Sequence, residues 1–125
     1  MINNLLKDIG KVYIAYGITD FRKQIASLCN EVKSKFNLNP YEKAAFIFCN
    51  KKRNSIKVLC YDKNGFVLAQ KKLLETEKMK FQWPKDHDEM KNITREQLSW
   101  LLSGLKINPK KQFKEIEINE ENVAI

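Results

Sequence analysis

Residues 44–74 read AAFIFCNKKRNSIKVLCYDKNGFVLAQKKLL. Three runs rich in β-branched and aromatic residues, 44–49, 55–61 and 66–74, are separated by the polar breaks KKRN and DKNG. Runs of this length between turn residues predict strands. Asn64-Gly65 supplies the positive φ that a tight hairpin turn requires. The stretch therefore predicts an antiparallel meander, and the rest of the chain is read as what covers it.

Upstream, VYIAY (12–16) predicts a further strand, broken by GITD. Asp20, with Thr19 as the alternative, can cap a helix. Beyond it Phe21, Ile25, Leu28, Cys29, Val32 and Phe36 recur at helical steps and predict one apolar stripe, ending before NLNP. Downstream, MKFQW (79–83) predicts a short strand stopped by Pro84, and DHDEMKN a polar loop. Thr94-Arg-Glu-Gln97 has the form of a capping box, in which the threonine oxygen takes the Gln97 amide and the glutamine side chain reaches back. It opens a helix whose buried face is Leu98, Leu101, Leu102 and Leu105, with Gly104 as terminator. The expected architecture is α+β: an antiparallel meander sheet of four to five strands with two helices packed on one face. Residues 1–109 form a single domain, and 110–125 form a C-terminal tail in which EIEI is a candidate edge strand.

Composition narrows the function. The apolar runs are too short to span a membrane and the N-terminus lacks the form of a signal peptide, so a cytoplasmic protein is expected. Cys29, Cys49 and Cys60 are odd in number and widely spaced, which fits buried free thiols better than disulfides. His87 is the sole histidine, and no Cys-x-x-Cys or paired-histidine motif marks a metal site. No glycine-rich phosphate loop occurs. Asp20, Asp62 and Asp86 have simpler roles, as helix cap, turn residue and loop residue, than as a metal-binding carboxylate set. Neither catalytic residues nor a cofactor is expected.

Charge is the strongest functional signal. Residues 1–109 carry 20 Lys and Arg against 11 Asp and Glu, while 110–125 carry 3 against 4. A basic domain attracts polyanions. A two-residue turn at Asn64-Gly65 sets Lys57 opposite Lys72, and a three-residue loop sets it opposite Lys71. Like charges facing each other destabilise a strand pair. A bound anion removes that cost; so does splaying of the lysines into water. With Lys51, Lys52 and Arg53 at the first hairpin tip, six basic residues are expected at one sheet end, where they suit phosphate contacts. Arg22 and Lys23 form a second basic patch. Tyr61 and Phe66 flank the other turn, where core packing competes with base stacking. Trp83 and Trp100 are candidate anchors for a protein interface.

The order of these segments is similar to one known family. TDFRKQI, the 44–73 stretch, KFQWP and ITREQLSWLLSGL together resemble the small TnpB-like accessory protein of IS-sixty-six-type bacterial insertion sequences, which is distinct from the RNA-guided nuclease of similar label. The resemblance runs from Val12 to Leu105. It rests on Thr19, Asp20, Arg22 and Lys23; on Lys57, Tyr61, Asp62, Gly65 and Phe66; and on Lys72, Phe81, Trp83 and Pro84. Cys60-Tyr61 departs from the tryptophan common before the turn aspartate. Asn50-Lys51-Lys52-Arg53 departs from an arginine-rich tip, so the basic charge survives there without its arginine-specific geometry. The resemblance implies an accessory factor of transposition, encoded beside a separate transposase, with no catalytic residues to carry over. With the charge reading, which supplies contact with DNA, the expected partners are DNA, at the element ends, and the transposase or another accessory subunit.

Overall fold

The computed structural model describes residues 6–74, 79–85 and 89–107. Five strands form one sheet: β1 (Lys11–Ala15), β2 (Ala44–Cys49), β3 (Ser55–Asp62), β4 (Gly65–Lys72) and β5 (Met90–Ile93), in the order β4-β3-β2-β1-β5. Two helical segments accompany them. The first, α1 (Ile25–Asn30), continues into a π-helical turn (Glu31–Lys35); the second is α2 (Arg95–Leu102). The α+β class and the meander of β2, β3 and β4 are as the sequence predicts.

The sheet is mixed, mostly antiparallel. β1 pairs parallel to β2, with Val12 beside Ala45 and Ile14 beside Ile47. A parallel pair needs a crossover of a dozen or more residues, and α1 supplies it, making β1-α1-β2 a strand–helix–strand unit. Tyr13 stacks on Phe46 across this pair, ring centroids 5.4 Å apart.

The two helices lie on opposite faces of the sheet, not together on one as expected. Leu28 of α1 and Val32 of the π-helical turn pack with Tyr13, Ala44, Phe46, Phe48 and Leu59. Leu98 and Leu101 of α2 pack with Val12, Ile14, Ala45, Ile47, Ile56 and Val58. All six residues of AAFIFC are buried as a result. Side chains alternate between faces along a strand, so a continuously apolar strand is one covered on both sides.

Other boundaries also shift. The 79–83 run is not a strand. Phe81 donates its backbone N–H to the Arg53 carbonyl at 2.7 Å, and the Phe81 and Trp83 side chains fill the core beside α2. The edge strand beside β1 is β5, most of it in the stretch read as a polar loop; it pairs antiparallel with β1, Val12 beside Ile93. Asp20 does not cap α1, whose N-cap is Gln24. At α2 the capping box forms as predicted, with Thr94 Oγ1 accepting from Gln97 N–H at 3.0 Å and Gln97 Oε1 accepting from Thr94 N–H at 2.9 Å. Gly104 ends α2 at φ 82°, donating to Leu101, while Leu105 donates to Trp100. These paired bonds are a Schellman motif. The EIEI segment and Asp86, His87 and Asp88 lie outside the described residues. No helix among the described residues is long and apolar enough to cross a membrane.

Candidate nucleic-acid interface

The β2–β3 turn is built by its asparagines. Asn50 Oδ1 accepts from the N–H groups of Asn54 (3.0 Å) and Ser55 (3.1 Å), and Asn50 Nδ2 donates to Asn54 Oδ1 at 2.7 Å. Arg53 takes positive φ, 58°. With the polar needs of the turn met internally, Lys51 and Lys52 stand exposed at its tip.

The β3–β4 register brings the end of β4 to this turn. Asp62 pairs with Gly65, Ile56 with Lys71 and Ser55 with Lys72, and Leu73 N–H reaches the Asn54 carbonyl at 2.7 Å. The tip of the second hairpin is thus Lys63-Asn64, with Lys63 at φ 53°, and Gly65 belongs to β4. Both registers expected from Asn64-Gly65 are therefore corrected: Lys57 faces Gln70, not Lys71 or Lys72. Lys71 and Lys72 also part company. Cross-strand partners share a face, so Lys71 lies on the side of Ile56, the α2 side, and Lys72 on the side of Ser55.

The loop between β1 and α1 closes the site. Thr19 N–H donates to the Cys49 carbonyl at 2.8 Å and Gly17 N–H to Pro84 at 2.8 Å. Lys57 holds the loop from below. It is 3% exposed, its Nζ donates to the carbonyls of Phe21 and Lys23 at 2.9 Å each, and it sits 4.9 Å from the Phe21 ring centroid. Burial lowers its pKa, opposed by the charge of Asp20. Lys57 is thus a structural pin, with its ammonium turned away from any surface anion.

Loop, turn and β4 end enclose an open depression of about 820 Å³. Among the described residues Arg22, Lys51, Lys52 and Lys72 line it, with Asp20 as the one carboxylate; Thr19, Phe21, Asn54, Ser55 and Gln70 contribute to its walls and floor. A smaller hollow of about 210 Å³ adjoins it through Lys51 and adds Arg53 and Lys85. The cations expected at one sheet end are largely there.

Arg22 is held by Asp20, with Nη2 to Oδ2 at 2.6 Å and Nε to Oδ1 at 3.1 Å. The Arg22 side-chain and backbone hydrogen bonds bring the Asp20 pKa down to about 2. Lys23 is bonded to Glu31 and contributes little outward charge. Trp83 is buried at 4% exposure, its Nε1 donating to the Ala15 carbonyl at 2.8 Å, so it cannot anchor an interface. Trp100 is half-buried on α2. Lys85, Gln70 and Asn54 were not singled out by sequence reasoning. Only the Pro84–Gly17 contact and the true register reveal them.

The cysteines are free, and burial raises the pKa of each, that of Cys49 to about 12. Asp20 and Asp62 lie at opposite ends of β3, and no group of His, Cys, Asp and Glu suited to a metal occurs among the described residues.

Comparison with known proteins gives one match. A family model described as IS66 Orf2-like protein matches residues 10–112. No curated protein and no solved structure matches.

Proposed function

The chain belongs to the IS66 Orf2-like protein family, and on that premise we propose that it is a non-catalytic accessory protein of insertion-sequence transposition that binds DNA. The observation that carries the reading is the depression beside the β2–β3 turn, where four cationic side chains meet one carboxylate among the described residues. Lys51 and Lys52 have no ion pair among the described residues. They would meet phosphates directly, and Lys72 adds its charge to the wall beside them. Arg53 and Lys85 extend the strip. Arg22 would exchange Asp20 for phosphate, an exchange favoured by the bidentate match of guanidinium to phosphate. Lys57, Lys23 and Lys71 drop out of the contact set on the geometry above.

The test is binding to the element's terminal sequences and to unrelated DNA across a salt series. Each neutralised phosphate contributes a slope of about −0.9 in log affinity against log salt for duplex. Replacing Lys51 and Lys52 together by alanine should flatten the slope by about two such contacts. An unchanged slope, or no binding at low salt, defeats the reading.

Contact with the transposase or another accessory subunit is a second reading, supported by a different surface. Tyr41 is 58% exposed and packs on Tyr61 and Phe66, ring centroids 5.1 and 5.2 Å away, at the far end of the sheet from the depression. Co-purification with the transposase that survives nuclease, and is lost in Tyr41→Ala, would support it; a complex dissolved by nuclease would count against it.

A further inference from the structure

We propose that the depression holds an unpaired nucleotide of single-stranded DNA, with contact to intact duplex secondary. The inference rests on the DNA-binding reading and adds the state of the DNA.

Shape is the first argument. Proteins that read a duplex place a projecting helix or ribbon into a major groove about 12 Å wide. Here the cations surround a hollow of about 820 Å³, within the range of about 300–1,000 Å³ typical of sites for small organic ligands. A base reaches the floor of such a hollow only when it is out of the stack.

The chemistry of the floor is the second argument. Gln70 and Asn54 lie among the cations, and an amide can meet either a phosphate oxygen or a base edge. Gln70 is exposed and its amide has no hydrogen-bond partner among the described residues. Asn54, half-buried in the lining, spends its oxygen on Asn50 Nδ2, and its NH₂ group has no hydrogen-bond partner among the described residues. A primary amide presents donor and acceptor side by side, the arrangement that complements the edge of an unpaired base. Phe21 lines the same wall, with its ring fixed beneath the Lys57 ammonium. Cations for the backbone, amides for the base edge and an aromatic wall are the combination that single-strand sites use.

The experiment is fluorescence anisotropy with a labelled mixed-sequence oligonucleotide of about ten nucleotides and a hairpin duplex carrying the same number of phosphates, at one fixed salt. The full chain is compared with Gln70→Ala, with the Lys51→Ala/Lys52→Ala double variant and with Lys63→Asn. Lys63 is a charge control at the far hairpin tip, and asparagine tolerates its positive φ. Circular dichroism melting confirms that each is folded. The expected result is tighter binding of the single strand by about tenfold or more. Gln70→Ala should lose about fivefold in single-strand affinity, the lower end of what one base contact carries, with the salt slope kept. The double lysine variant should lose affinity and slope together, and Lys63→Asn neither. Equal or tighter duplex binding, or no effect of Gln70→Ala on the single strand, overturns the inference and leaves the DNA-binding reading standing. Absence of binding to both probes overturns both.

Discussion

Lys57→Met keeps the length of the side chain and removes its charge, and so isolates what the buried ammonium does. In the wild type it donates to two carbonyls, those of Phe21 and Lys23, and covers the Phe21 ring. Hydrogen bonds to a charged group contribute about 1.5–3 kcal/mol each, net of water. Against this stands the cost of burying the charge, which the lowered pKa of Lys57 records. Methionine recovers that cost but leaves two carbonyls without their donor. The balance is a loss of about 2 kcal/mol, which for a chain of this size lowers Tm by about 8 °C. Lys71→Met is the control: the neighbouring position across the pair, exposed, on the other face, and expected to change stability by no more than about 0.5 kcal/mol. Urea unfolding followed by circular dichroism measures both. The sign of the pH dependence is also fixed. With the folded pKa below 10.5, the unfolded chain binds more protons between the two values, so wild-type stability rises with pH there and the gap to Lys57→Met widens. A loss in Lys57→Met no larger than in Lys71→Met, or a gap that narrows with pH, would refute the pin.

Other tests follow from single contacts. Asp20 should titrate near 2 by carboxyl NMR and return toward 3.8 in Arg22→Gln. Whatever the pair adds to stability is complete above 3.8 and lost as pH falls through about 2. Trp83→Phe leaves the Ala15 carbonyl without its donor and removes ring volume from the core, so it should cost about 1–3 kcal/mol in denaturant unfolding, with no change in DNA binding measured by anisotropy.

Local chemistry was legible in the sequence where neighbouring residues decide it. The Thr94–Gln97 box, Gly104 and the three strands between Ala44 and Lys72 all follow from short-range rules. What was misread depends on distant partners. AAFIFC carries no alternation, which already signals cover on both faces; treating the sheet as half-solvated put both helices on one side. β5 escaped notice because MKNI is polar, as an outer strand with one half-exposed face can be. The hairpin register turned on whether Asn64-Gly65 or Lys63-Asn64 forms the tip, and that choice moved Lys57 from a surface pair to a buried pin reaching the 21–23 loop. No local pattern marks a lysine that folds inward onto carbonyls 34 and 36 residues away. The cationic end survived these errors because half of its charge, Lys51, Lys52 and Arg53, comes from one contiguous turn.

The π-helical turn at Glu31–Lys35 carries a consequence for how such helices keep in phase. Leu28, Val32 and Phe36 are spaced four and four, and all three pack on the same side of the sheet. In an ordinary α-helix each four-residue step overshoots a full turn by about 40°, so two such steps would carry Phe36 well around the axis. The wider turn, marked by the Phe36 N–H bond to the Glu31 carbonyl five residues back, undershoots instead. The two errors offset, and the stripe runs straight. Leu28, Val32 and Phe36 therefore stay on one face through a change of winding partway along, not through regular α-helical spacing.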